Sequence, residues 1–374
     1  MSEPTRRKVL LVIDNLTSGG AQNQLSLLAK GLYHLGYQVE VFMYYEDLFY
    51  GWRLEDLGVR LHIHPKREKL GISVIWALKR LYEKEKYDRV ISFLTTPNFY
   101  VTLAKRLSKY RPHVTISYRS MTQFDQLGKM RLKLLEWVNK TADHIVANSV
   151  HERRRWQERY PFSAHKWSTI YNGVLPYNLA EKDPGMEIGP MDLLVVASVG
   201  PLKNGLVVIE ALAQLKAQGI ECHVTWIGQR MPKIAERKAY AEQMDTLIKQ
   251  RGLEDNWTWR PPTHNIYSYY KNCSALLLAS TTEGLPNVVC EAMYHGAICI
   301  VSEVLDHPLI IKNGYSGYLF DPERPESLAA RIMELRSLSE DERNQMGAHA
   351  KSFAQQNFDV DTMVASYRQL IDAV

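Results

Sequence analysis

The sequence is poor in cysteine, with four in 374 residues. Cys222, Cys273, Cys290 and Cys299 all fall in apolar segments of the second half. Their spacing fits neither a disulfide framework nor a zinc pattern, so four buried free thiols are expected. Long apolar runs are also missing. The longest, residues 193–199 and 275–279, have the length of buried strands and fall short of the ~18 residues that cross a bilayer. No secretory leader is expected, because the apolar stretch after Arg6-Arg7-Lys8 is too short for a signal-peptide core and closes in Asp14-Asn15. That stretch reads as a cytosolic first strand. Repeats and low-complexity tracts are absent, and 45% hydrophobic with 23% charged residues excludes collagen-like and disordered classes.

What the sequence does contain is an α/β pattern twice over. Its 374 residues suit two domains at a prior of about 150 residues each. Short β-branched runs at 8–14, 38–43, 89–93, 113–118 and 144–147 alternate with amphipathic stretches such as 21–35 and 72–85, the mark of parallel sheets built from βαβ units. A second series runs through 192–199, 223–227, 256–259, 275–279 and 298–301. Helices follow from residue 325 onward, including 341–357 and 360–374. Residues 175–190, rich in Pro, Gly and charge without either period, read as the linker. The expected domains are 1–175 and 176–357, with 358–374 a closing helix that packs back toward the first. Ligands are expected in the cleft between the domains, beyond the carboxyl ends of the strands.

Charge divides unevenly. Residues 1–175 hold 28 Lys+Arg against 16 Asp+Glu, a net +12, and the remainder holds 18 against 25, a net −7. The basic half suits an anionic ligand, membrane surface or nucleic acid, and charge alone does not choose.

The most informative segment runs from Ser280 through Glu283-Gly284-Leu285-Pro286-Asn287 to Cys290-Glu291-Ala292-Met293. It leaves a buried strand, turns at Gly284 and Pro286, and opens a helix whose first amides suit a phosphate or sugar hydroxyls. Glu283 in the loop and Glu291 one turn into the helix can face one cleft, where carboxylates accept from paired sugar hydroxyls. Taken alone, the two acids fit a solvated loop and a surface helix better than a binding site.

The run EGLPNVVCEAMYHG, together with SGGAQ, ADHIVANS, YNGV, SVG and NGYSGYLF in this order along the chain, resembles the retaining glycosyltransferases of family 4. The resemblance covers nearly the whole chain. It implies a GT-B fold of two facing Rossmann-like domains, an N-terminal acceptor domain and a C-terminal donor domain. It implies that Glu291 binds the nucleotide ribose, that Glu283 sits beside the donor sugar, and that the amides of Gly284, Leu285, Pro286 and Asn287 hold sugar and diphosphate. Lys203 is then the diphosphate cation, stabilising charge that grows on the leaving group. Gly228 and His264 fall to the nucleotide, and Gly19-Gly20 to a loop near donor phosphate and acceptor. The glycine spacing is not GxGxxG, so a dinucleotide cofactor is unsupported. The family needs no metal and no cofactor.

Two departures stand out. Pro201 occupies the slot after SVG where the family often has Arg, and Arg119 ends the 113–118 run where many members place a His nearby. Arg119 is assigned to phosphate or acceptor, with a solvent ion pair as the alternative. His62-x-His64 lies on one strand face without a third ligand, which does not make a metal site. Residues 126–140 form a basic amphipathic helix, with Leu127, Met130, Leu134, Trp137 and Val138 on one stripe, suited to core packing or to anionic lipid. Basic residues are dispersed without aromatic interleaving, so nucleic acid is not an expected partner.

The expected function is transfer of a hexose or N-acetylhexosamine from a nucleotide sugar to an acceptor hydroxyl with retention. The acceptor is a sugar or lipid-linked sugar, and the setting is the cytoplasm or the inner membrane face. Alternatives are a sugar-nucleotide 2-epimerase and a non-catalytic sugar-nucleotide-binding protein.

Overall fold

A computed structural model describes residues 7–120, 124, 127–176, 191–230, 234–263 and 265–373. The chain divides into two units, one made of residues up to Gly173 plus the stretch from Val360 onward, the other of Val174–Asp359.

The first unit carries β1 (Lys8–Val12), α1 (Gly20–His34), β2 (Gln38–Met43), α2 (Trp52–Glu55), β3 (Arg60–Ile63), α3 (Ile72–Glu85), β4 (Arg89–Phe93), α4 (Thr95–Leu107), β5 (His113–Tyr118), α5 (Lys129–Thr141), β6 (His144–Ala147), α6 (Val150–Arg159) and β7 (Trp167–Thr169). Its seven strands follow the order β3-β2-β1-β4-β5-β6-β7. Every pairing is parallel, with Leu10 opposite Glu40 on one side and Val90 on the other. Central strands are apolar on both faces, as parallel strands covered by helices must be, and Val9 to Val12 have no exposed surface.

The second unit carries β8 (Asp192–Val196), α7 (Gly205–Ala217), β9 (His223–Ile227), α8 (Ala235–Gln250), β10 (Trp257–Arg260), α9 (Ile266–Asn272), β11 (Ala275–Leu278), α10 (Asn287–Tyr294), β12 (Cys299–Ser302), α11 (His307–Ile310), β13 (Tyr318–Phe320), α12 (Pro325–Ser337) and α13 (Glu340–Phe358). Its sheet, all parallel, is ordered β10-β9-β8-β11-β12-β13. Ser339 accepts from the Glu342 amide while Glu342 reaches back to the Ser339 amide, a capping box that starts α13. The closing helix, α14 (Val360–Asp372), belongs to the first unit and packs on α1, where the absence of a Cβ on Gly31 leaves room for Val364.

Three strands escaped the sequence pattern: β3, β7 and β13. Each lies at the edge of its sheet and spans only three or four residues, too few to show a period. The 256–259 and 298–301 expectations sit one residue early. Asn256 lies in a 3₁₀ turn before β10, bonded through its amide to the Leu253 carbonyl. Most of the expected linker, 177–190, lies outside the described residues.

Smaller corrections concern individual side chains. Cys273 is partly exposed at the end of α9, whereas Cys222, Cys290 and Cys299 are buried, and all four are free. His62 and His64 part ways: β3 ends between them, His62 Nε2 lies 2.6 Å from a Glu40 carboxylate oxygen, and His64 stacks on Phe42. The stripe expected for α5 is rotated, since Met130 is 85% exposed while Leu135 is buried. Among the described residues, no helix is long and apolar enough to cross a membrane.

Candidate functional site

The order of the second sheet reverses at β8, whose neighbours are β9 and β11. Connections after β8 and after β11 therefore leave in opposite directions and open a crevice at their carboxyl ends, the usual ligand position in a doubly wound sheet. The loop after β8 carries Lys203 and the loop after β11 carries Glu283.

Several contacts fix the first loop. The Ala197 and Val199 amides donate to the Ile227 and Gln229 carbonyls, each at 3.0 Å. Trp226 Nε1 donates to the Ala197 carbonyl at 2.7 Å. At Gly228 a Cβ would collide with that same carbonyl oxygen. Here glycine is required by close approach of two backbones. Residues Pro201–Lys203 form a 3₁₀ turn, and Asn204 takes the left-handed conformation that Asn tolerates, with its side chain bonded to the Pro322 carbonyl at 2.8 Å. α7 starts immediately after.

The second loop is stitched to the first, because the Thr281 amide donates to the Leu202 carbonyl at 3.0 Å. Lys203 Nζ is ion-paired with Glu283 Oε1, and Ser280 Oγ donates to the same oxygen at 2.8 Å. Ser280 is held in turn by Ser302, whose hydroxyl donates to the Ser280 carbonyl at 2.6 Å. His307 Nδ1 lies 2.6 Å from the Ser302 carbonyl, which assigns the ring proton to that nitrogen. Burial keeps this imidazole below its ordinary pKa, hence neutral. Its Nε2 is buried without a partner among the described residues.

α10 begins at Asn287 with Pro286 as its cap. The first turn of a helix presents N–H groups that cannot bond within the helix, at its positive dipole end. Glu291, on the second turn, accepts from the Tyr270 hydroxyl at 3.1 Å. Burial pushes its carboxyl up to about 7 against the opposing effect of that hydrogen bond. The sequence-assigned Lys203, Glu283, Gly284 to Asn287 and Gly228 thus lie on neighbouring loops of one sheet, with Glu291 on the helix that follows the second loop. His264 lies outside the described residues. Ser280, Ser302, Tyr270 and His307 were not found by sequence reasoning. The serines sit at strand ends like many structural serines, and Tyr270 lies in an aromatic helix with no distinguishing spacing.

In the first unit, Arg119 is buried rather than held in the solvent ion pair that was its alternative reading. Its guanidinium donates to Asn172 Oδ1 at 2.7 Å and to the Tyr367 hydroxyl, and lies 3.9 Å from the centroid of the Phe93 ring. Among the described residues it forms no ion pair. Burial lowers its pKa. Gly19 caps α1 in extended conformation rather than left-handed, and its missing Cβ leaves room for the Gln22 amide. Gln22 Nε2 donates to Asp14 Oδ1 at 3.1 Å and Asn15 Oδ1 at 3.3 Å, closing the loop after β1.

The first unit also contains a cavity of about 490 Å³ whose walls include Phe99, Tyr100, Leu134, Val138 and Trp156. Lys66, Lys69 and Arg131 add three cations to its lining, and among the described residues no carboxylate contributes.

Two family models match consecutive halves of the chain: Glycosyltransferase Family 4 over residues 18–176 and Glycosyl transferases group 1 over residues 181–353. Both models describe glycosyltransferases and together they account for most of the chain, whose two parallel-sheet, Rossmann-like units give it a GT-B fold. It is 30% identical over 202 residues to WcaL of Salmonella typhimurium, a glycosyltransferase provisionally assigned to colanic acid biosynthesis. That match covers 51% of this chain and 47% of WcaL. Over 307 residues it is 24% identical to the N-acetylgalactosamine-N,N'-diacetylbacillosaminyl-diphospho-undecaprenol 4-alpha-N-acetylgalactosaminyltransferase of Campylobacter jejuni, covering 77% of this chain and 78% of that one. The fold matches that of Anabaena HepE, solved in complex with UDP, with a TM-score of 0.81 at 17% identity, covering 98% of this chain and 100% of HepE.

Proposed function

We propose that this glycosyltransferase moves a hexose or N-acetylhexosamine from a nucleotide sugar to an acceptor hydroxyl, with retention at the anomeric carbon, during assembly of a polysaccharide or glycolipid. The observation that carries the reading is the Lys203–Glu283 pair at the switch point of the second sheet, one short loop from Glu291 on α10. Glu291 accepts from the ribose hydroxyls. Lys203 and the amides opening α10 hold the diphosphate, and Gly228 and His264 flank the nucleoside. Donor binding exchanges the Lys203–Glu283 ion pair for a Lys203–diphosphate contact and so releases Glu283 toward the sugar.

In the transfer, the bond from C1 to the diphosphate oxygen breaks while the acceptor oxygen bonds to C1 on the same face. The acceptor proton passes to the departing diphosphate. Lys203 stabilises the charge that accumulates there, so the chemistry calls for no resident metal or cofactor. Arg119 supplies a cation in the first unit, and a phosphate reaching it must share the guanidinium with Asn172 and Tyr367. The Gly19-Gly20 loop serves the acceptor side.

We further read the acceptor as a sugar on a lipid diphosphate, handled peripherally at the inner membrane face. Two findings support this: the apolar cavity of the first unit with its three cations, and the diphospho-undecaprenol acceptor in the name of the Campylobacter relative. The test incubates the purified chain with UDP-, GDP- and ADP-sugars and a polyprenyl-diphosphate sugar, and follows nucleoside diphosphate release and the anomeric configuration of the product by NMR. Release with the donor's configuration kept is expected. An inverted product contradicts retention, epimerised donor without acceptor indicates a 2-epimerase, and binding without release indicates a non-catalytic protein.

A further inference from the structure

The loop that carries Lys203 has Pro201 next to Gly200, so it offers a growing diphosphate charge one cation only. The structure assigns the second to Arg237, delivered from a different element. α8 starts at Ala235, and its buried face is Ala241, Met244 and Ile248. This face packs on the start of α7: Met244 fills the space where Gly205 lacks a side chain, and the Tyr240 hydroxyl accepts from the Leu206 amide at 3.3 Å. Arg237 is three to four residues before Tyr240 and Ala241, and so continues the same face one turn toward the loop. Its side chain runs along Gly200, with Cγ, Cδ and Nε at 3.4, 3.5 and 3.6 Å from the position a Cβ would take there.

Three observations say that this cation waits for an anion. Arg237 makes no hydrogen bond or ion pair with any described residue. Its neighbours one turn on, Tyr240 and Ala241, cannot pair with it, whereas adjacent Lys238 pairs with Glu242. It also stands in the first turn of α8, where the helix dipole disfavours positive charge. A bound diphosphate beside Gly200 supplies the missing partner, and a guanidinium binds phosphate oxygens in bidentate fashion.

This assignment rests on the donor-site reading above and adds a diphosphate-binding residue to it. The test measures UDP and uridine affinity by calorimetry for the wild type, Arg237→Gln, Arg237→Lys and Lys203→Gln, with GDP and ADP run in parallel. Arg237→Gln is expected to lose about tenfold in nucleoside diphosphate affinity, to leave uridine binding unchanged, and to flatten the salt dependence. Arg237→Lys is expected to recover part of the loss. Circular dichroism of the exposed-site variants checks that each is folded. If Lys203→Gln loses UDP affinity while Arg237→Gln binds within about twofold of the wild type, the Arg237 assignment is wrong and the donor site stands. If the wild type binds none of the three nucleoside diphosphates, both readings fall.

Discussion

At the scale of single residues, Glu291 carries two opposed demands. Burial raises its carboxyl to about 7, against the ordinary value of 4.5 that the unfolded chain approximates. The native state therefore binds a proton that the unfolded state releases first, and stability falls as pH rises from about 4.5 through about 7, by at most about 3 kcal/mol. Accepting from ribose hydroxyls needs the ionised form, so donor affinity moves the other way, weakening as pH drops through 7. Glu291→Gln should accordingly melt at higher temperature than the wild type at pH 8, bind nucleoside diphosphate more weakly, and lose the pH dependence of that binding. Thermal melts with and without UDP at pH 6 and pH 8 check all three. A variant that binds UDP as tightly as the wild type at pH 8 would remove Glu291 from the site.

At the scale of elements, the site depends on two loops held by backbone contacts. Gly228 is where the loop after β9 meets the Ala197 carbonyl, and a methyl group there must push the backbones apart. Gly228→Ala is expected to cost about 1–3 kcal/mol in urea unfolding and to impair donor binding through the displaced loop. An unaltered urea midpoint would show that the loop yields freely. Gly31, under Val364 of α14, makes a matching case in the first unit, and Gly31→Leu should release α14 from α1. The same elements explain what the sequence disclosed. Central strands such as β1 and β11 were legible because burial on both faces makes them continuous apolar runs. The edge strands β3, β7 and β13 were not, since three or four residues carry no period. The rotation of α5 was hidden because Leu134 and Leu135 are both apolar, and only packing decides which turns inward.

For the whole molecule, the uneven charge of the sequence acquires a location in the cavity walls that carry Lys66, Lys69 and Arg131. If lipid diphosphate is the acceptor, the triple Gln variant at these positions should sediment less with anionic vesicles than the wild type, and its KM for the lipid acceptor should rise while donor KM stays level. Equal sedimentation would point away from a lipid acceptor. Glu283 and Glu291 were legible as a linear motif with its flanking turn, and Lys203 through the family resemblance. Their supporting groups were not: Ser280 looks like any loop serine, and Ser302, Tyr270 and His307 reach the site only through strand order and helix packing that bring separate segments together. The partners of Arg119 were hidden for the same reason, since Tyr367 comes from the far end of the sequence.

The central claim is that Glu283 and Lys203 form the reacting end of a donor-sugar site. Steady-state kinetics of Glu283→Ala test it most directly, in a reaction that supplies saturating acceptor. The expected result is a kcat lower by about a hundredfold or more, with donor KM changed by no more than a few fold. A variant with wild-type kcat would contradict the account.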